Sequence, residues 1–88
     1  MVRMDMTEKD FSLRLAQLRE EKGVSARDMS LSMGQNPGYI NNIESGKSMP
    51  SLSGIFYICE YLDITPKDFF DVETSNPTKA TELYNIAK

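Results

Sequence analysis

The sequence predicts an all-α fold: a compact five-helix domain over residues 7–71, followed by an additional C-terminal helix over residues 78–88. Three observations predict it. A residue able to accept a bond from a free first-turn N–H recurs at Thr7, Ser25, Asn36, Ser51 and Thr65, each ahead of apolar residues at helical spacing. Gly23, Gly34 and Gly46 follow the first three of those stretches, where helices stop. The chain has 88 residues, which leaves room for a single core and makes close helix packing or a partner subunit important to stability.

Residues 1–6 show no periodicity and are expected to form a flexible arm. Thr7 caps the first helix, with Glu8 and Asp10 in its first turn and Phe11, Leu15 and Leu18 at i, i+4 and i+7. That helix runs to about Lys22, and Val24, just outside the next one, is placed as an apolar staple. The second helix starts at Ser25 and continues through Met33, burying Met29 and Met33 on one face. The turn at Gly34 and Gln35 is short enough to swing the third helix roughly perpendicular to the second.

The third helix organises the chain. Asn36 is its expected N-cap and Pro37 its first residue, where a missing N–H costs nothing. Ile40 and Ile43 fall on the inner face; Gly38, Asn41, Asn42 and Ser45 fall opposite, and the Tyr39 phenol is expected to point outward as well. Ser45-Gly46 stops the helix, and Lys47 meets the negative end of its dipole. Pro50 closes the following loop and Ser51 caps the fourth helix. With Leu52, Ile55, Phe56, Ile58, Cys59 and Leu62, that helix is the most apolar element and the expected centre of the core. Thr65 caps a short fifth helix with Pro66 at its first position, and Phe69 and Phe70 close the end of the core. Residues 72–77 read as a polar linker. Beyond it, Ala80, Leu83, Tyr84 and Ala87 form an apolar stripe at i, i+3, i+4 and i+7, a candidate dimerisation element.

Composition excludes several classes of function. The chain contains no His and one Cys, so neither a Cys/His metal cluster nor an internal disulfide can form, and Cys59 on the apolar helix reads as a packed small hydrophobe. No phosphate-cradling glycine loop is present, and the acids sit at caps and on solvent faces, so an enzyme is not expected. Neither a cofactor nor a small-molecule ligand is expected. No apolar run approaches the roughly 20 residues of a membrane span, and no signal-peptide core opens the chain, which points to a cytoplasmic protein. The net charge is −3, but residues 1–50 carry seven Lys/Arg and seven Asp/Glu while residues 51–88 carry three and six. The acidity therefore belongs to the second half.

The residues Gly23-Val24-Ser25, Gly34, Tyr39-Ile40, Ile43-Glu44-Ser45-Gly46-Lys47, Pro50-Ser51-Leu52 and Ile64-Thr65-Pro66 carry a resemblance. In type and spacing, over about residues 11–70, they resemble the phage repressor and Cro type of helix-turn-helix domain, the XRE family. The resemblance implies a repressor-like domain whose third helix enters the major groove of double-stranded DNA. By position it places Pro37, Gly38, Tyr39, Asn41 and Asn42 at base-reading sites, and Ser25, Ser45, Lys47 and Ser51 at phosphate contacts. It also sets Arg19 opposite Glu44 as a structural ion pair. The implied function is a sequence-specific transcriptional regulator, a repressor acting as a homodimer on a two-fold symmetric operator.

Two departures from the family pattern matter. Ala26 stands where the family commonly has a Gln that bonds a phosphate, and neither Pro37 nor Gly38 has a side chain able to read a base by hydrogen bonding. With the neutral first half, these departures point to a weaker or narrower reader than the family average, and Ala26 together with the acidic second half supports an alternative: a protein-interaction module of the same fold, antitoxin-like or an accessory subunit, with weak or lost DNA binding.

Overall fold

The computed structural model of the chain describes residues 6–71. Most of the expected arm (residues 1–5), the linker at 72–77 and the C-terminal helix at 78–88 lie outside the described residues. Five helices follow one another: α1 Glu8–Lys22, α2 Ala26–Ser32, α3 Tyr39–Glu44, α4 Leu52–Leu62 and α5 Pro66–Phe70. No strand occurs among the described residues, and none of these helices is long and apolar enough to cross a membrane. Met6, read from the sequence as part of the arm, is instead half-buried against the core.

Four helices start where a side-chain oxygen takes up a first-turn N–H. Thr7 and Asp10 form a capping box: the Asp10 N–H donates to Thr7 Oγ1 at 3.1 Å and the Thr7 N–H to Asp10 Oδ2 at 3.1 Å. The hydroxyl oxygens of Ser25, Ser51 and Thr65 accept from the N–H groups of Asp28, Gly54 and Asp68 at 2.9, 3.0 and 3.0 Å. Each such cap is worth about 1 kcal/mol.

The core consists of Phe11, Leu15, Met29, Ile40, Ile43, Ile58, Cys59 and Phe69, so every helix contributes at least one fully enclosed side chain. Burial pushes the Cys59 thiol above its ordinary pKa, as expected of a thiol packed as a hydrophobe. Phe11 and Phe69 bring their rings to 5.1 Å, joining α1 to α5. Arg14 reinforces that junction from the rim, its Nε donating to the Phe69 carbonyl and its Nη2 to the Asp68 carbonyl, each at 2.9 Å. The guanidinium gives the Phe69 carbonyl a donor and adds a second one to the Asp68 carbonyl, which also accepts from the Asp71 N–H at 3.2 Å.

Three expectations need correcting. Met33 is only half-buried, because α2 ends at Ser32 and Met33 is its C-cap. Phe70 remains 40% exposed while stacking at 6.0 Å on Phe11, so of the two phenylalanines Phe69 alone is enclosed. On α4, Ile58 and Cys59 face the core, but Leu52 is 67% and Phe56 51% exposed. An eleven-residue helix packed on a small domain can bury one side only, so the apolar surplus of α4 emerges at the surface.

One backbone position is costly. Asp63 ends α4 in the left-handed region at φ 59°, and its carboxylate sits at the negative end of the α4 dipole. Asp63→Gly removes both penalties and is expected to raise stability by about 0.5–1 kcal/mol, read as a higher denaturant midpoint at unchanged slope.

Candidate nucleic-acid interface

The third helix starts later than the sequence suggests. Asn36 Oδ1 accepts from the Gly38 N–H at 2.9 Å and the Asn36 carbonyl accepts from the Tyr39 N–H at 3.1 Å, so residues 36–39 form a tight turn rather than a first α-turn. Gly38 is the N-cap of α3, no side chain caps it, and the first α-type bond runs from the Asn42 N–H to the Gly38 carbonyl at 2.9 Å. The Ile40 N–H, which a helix capped at Asn36 would have used internally, donates to Ser30 Oγ at 2.9 Å instead. Competition from that buried hydroxyl shortens the helix. At its other end the Gly46 N–H donates to the Ile43 carbonyl and the Lys47 N–H to the Asn42 carbonyl, the paired bonds of a Schellman stop, with Gly46 left-handed at φ 85°.

Three polar ties hold this six-residue helix to its neighbours. Ser30 Oγ donates to the Ala26 carbonyl at 2.7 Å while accepting from Ile40, which locks α2 to the start of α3. Ser12 Oγ donates to the Ile43 carbonyl at 2.7 Å, which locks α1 to its end. Arg19 and Glu44 form a fork: Nε to Oε2 at 2.6 Å and Nη2 to Oε1 at 3.1 Å, with Arg19 Nη1 also donating to the Val24 carbonyl at 2.8 Å. Both side chains are enclosed, at 15% and 13% exposure. The bond to Glu44 raises the Arg19 pKa further above its ordinary value. A group whose folded pKa is raised contributes its stability below the unfolded value, so this contribution holds through the whole neutral range.

The anticipated site residues divide into two groups. Asn41 is exposed and Asn42 half-exposed on the side of α3 opposite Ile40 and Ile43, and no hydrogen bond among the described residues engages either side-chain amide. Pro37 is exposed in the turn and Gly38 partly covered. Tyr39 departs from the outward placement expected of it: it packs against the core, with its hydroxyl oxygen only 2.9 Å from where a Cβ on Gly54 of α4 would stand. The glycine at 54 makes room for that phenol. Ser25, Ser45, Lys47 and Ser51 are all exposed. The hydroxyl oxygens of Ser25 and Ser51 serve as cap acceptors, leaving both O–H groups free to donate outward, whereas the Ser45 hydroxyl donates to the Asn42 carbonyl at 3.2 Å.

Sequence reasoning missed Ser12 and Ser30, which are 5% and 0% exposed. Each directly follows a core residue, Phe11 and Met29, and a hydroxyl beside the apolar stripe where two helices cross was the available signal.

The family model described as "Helix-turn-helix domain" matches residues 13–75. The chain is an XRE-type helix-turn-helix protein. Among solved structures, this XRE-type chain is similar to the restriction-modification controller protein C.AhdI from Aeromonas hydrophila, at 32% identity and TM-score 0.66 over 72% of this chain and 91% of that one. Two others share the fold: the clp gene regulator ClgR from C. glutamicum (23% identity, TM-score 0.66, 74% and 85% covered) and the hypothetical transcription factor NHTF from Neisseria (17%, 0.67, 94% and 95%). No curated protein matches the sequence.

Removing one partner of an enclosed fork leaves a charge without its counterion, so Glu44→Ala is expected to cost this XRE-type domain about 3 kcal/mol, part of which the double change with Arg19→Leu recovers. A double-mutant cycle on denaturant midpoints checks this; coupling below about 0.5 kcal/mol would mean the fork adds nothing beyond its separate side chains.

Proposed function

We propose that the protein is a sequence-specific DNA-binding transcriptional regulator, acting as a homodimer and repressor on a two-fold symmetric operator. The observation that carries this reading is the pair of unengaged carboxamides, Asn41 and Asn42, on a short helix held rigidly from beneath by Ser12, Ser30 and Arg19–Glu44. An asparagine amide can pair bidentately with the N6 and N7 edge of adenine in the major groove, and rigid support keeps that pairing from losing its energy to side-chain and helix motion. Lys47 and the hydroxyls of Ser25 and Ser51 flank the helix as phosphate partners; Pro37 in the turn offers an apolar touch to a thymine methyl, and Gly38 permits close backbone approach. Tyr39 contributes from behind, by bracing α3 on α4. The similarity to the restriction-modification controller protein C.AhdI supports a regulatory role. A dimer covering an operator would act by excluding other proteins from the same stretch of DNA.

Selection from random-sequence duplexes at low and moderate salt tests the reading directly, and failure to enrich any sequence would leave the fold as a protein-interaction module. Against the selected site, Asn42→Ala is expected to cost about 1–3 kcal/mol and relax preference at one base pair. Lys47→Ala is expected to weaken all sequences alike and lower the salt slope by about one.

For the dimer, the exposed Leu52 and Phe56, one helical turn apart on α4, offer an apolar seam that a second copy would cover isologously. Sedimentation of the Leu52→Glu, Phe56→Glu double variant is expected to give the monomer mass. If that variant stays dimeric and truncation after Asn76 gives the monomer, the seam belongs to residues 78–88 instead.

A further inference from the structure

A cleft of about 280 Å³ opens between the C-terminal ends of α2 and α4, lined by Ser32, Met33, Tyr57, Glu60 and Tyr61. None of these residues belongs to α3 or to the positions flanking it. Tyr57 and Tyr61 lie one helical turn apart on α4 and bring two electron-rich rings to the cleft; Met33 adds a polarisable thioether and Glu60 a carboxylate. Tyr57 is 60% exposed, Glu60 is exposed, and neither side chain has a hydrogen-bond, ion-pair or ring partner among the described residues.

The local field favours a cation. The last turns of α2 and α4 both contribute to the cleft wall, and neither carries a basic residue, so the partial negative charge of two helix ends adds to that of Glu60. Tyr61 already holds one cation: Lys22 Nζ stands 5.2 Å from its ring centroid, yet Lys22 does not line the cleft. Among the described residues from 51 to 71, Lys67 is the one cation beside Glu60, Asp63, Asp68 and Asp71.

We propose that this cleft is a docking site for an arginine side chain presented by a partner protein. A planar guanidinium can lie against the tyrosine rings and still direct N–H groups at the Glu60 carboxylate, and it sheds water more readily than an ammonium does. The partner is a protein because the cleft is open: a free cation would stay hydrated there, whereas a protein surface covering Tyr57 would exclude water and strengthen the charge interactions. None of the lining residues is among the proposed DNA contacts, so a partner held there and a duplex at α3 engage different side chains.

The test is an NMR titration of the isotope-labelled full chain with acetyl-glycyl-arginyl-glycine amide, and with the same peptide carrying citrulline or lysine. Saturable shifts confined to the amides of Ser32, Met33, Tyr57, Glu60 and Tyr61 are expected, with citrulline weaker by about tenfold or more and lysine weaker by about threefold. Glu60→Gln and Tyr57→Ala, both at exposed positions, are expected to lower arginine affinity by about tenfold while leaving the rest of the spectrum native. Equal response to citrulline, equal response to lysine, shifts spread over the acidic surface, or undiminished binding in both variants would each overturn the proposal. Asn42→Ala leaves this titration unchanged, so the docking site and the DNA-reading face fail or stand separately.

Discussion

Six residues are too few for a helix to persist on its own backbone bonds, and the placement of α3 therefore depends on groups outside it. Its buried isoleucines fix depth but not direction. The polar ties fix direction, because each engages a specific atom: an N–H near the start from Ser30, a carbonyl near the end from Ser12, and a carboxylate at the last residue from Arg19. Loss of Ser30 would leave the buried Ile40 N–H unpaired, a cost of about 1–3 kcal/mol, and loss of one fork partner would leave a charge unpaired at greater cost. Without Ser12 the Ile43 carbonyl keeps its bond from the Gly46 N–H and loses only its tie to α1. A short helix with three anchors is rigid where a longer one with apolar packing alone would roll, and rigidity is what the proposed base reading by two carboxamides requires.

The same hydrogen-bond accounting couples the flanking positions to the scaffold. Ser25 and Ser51 start α2 and α4 with their oxygens while their hydroxyl protons remain available, so a residue that shapes the fold can also meet a phosphate. This economy suits a chain whose first fifty residues carry no net charge, since contacts by neutral donors position a duplex without adding to the salt-dependent attraction. In the proposed DNA complex, affinity then leans on geometry more than on charge.

The apolar excess of α4 has a physical origin in size. A domain of this length has one core, and α1, α2, α3 and α5 already fill it with Phe11, Leu15, Met29, Ile40, Ile43 and Phe69, which leaves α4 room to insert Ile58 and Cys59. Leu52, Phe56 and Tyr57 remain outside, on a helix that carries both the dimer seam and the arginine cleft of the present proposals.

Much of the local structure was legible in the sequence, because caps, glycine stops and apolar spacing act over a few residues and are written at fixed offsets. Thr7, Ser25 and Thr65 cap where their hydroxyls and following acids or proline say they should, and Ser51 caps where its hydroxyl follows the loop-closing Pro50. What tertiary structure decided is where local signals met a competitor from elsewhere in the chain. Asn36 and Pro37 spell a helix start, but the Ser30 hydroxyl takes the Ile40 N–H, and the start moves to Tyr39. The Tyr39 phenol sits by spacing near the reading face, but a glycine at 54 opens a slot that draws it inward. Apolar spacing on α4 could not tell which of its faces would meet the core, because that depends on how much of the core the other helices had filled. The sequence by itself determined the helices and the outward carboxamides; the long-range pairing of single polar atoms determined how short the third helix is and what holds it still.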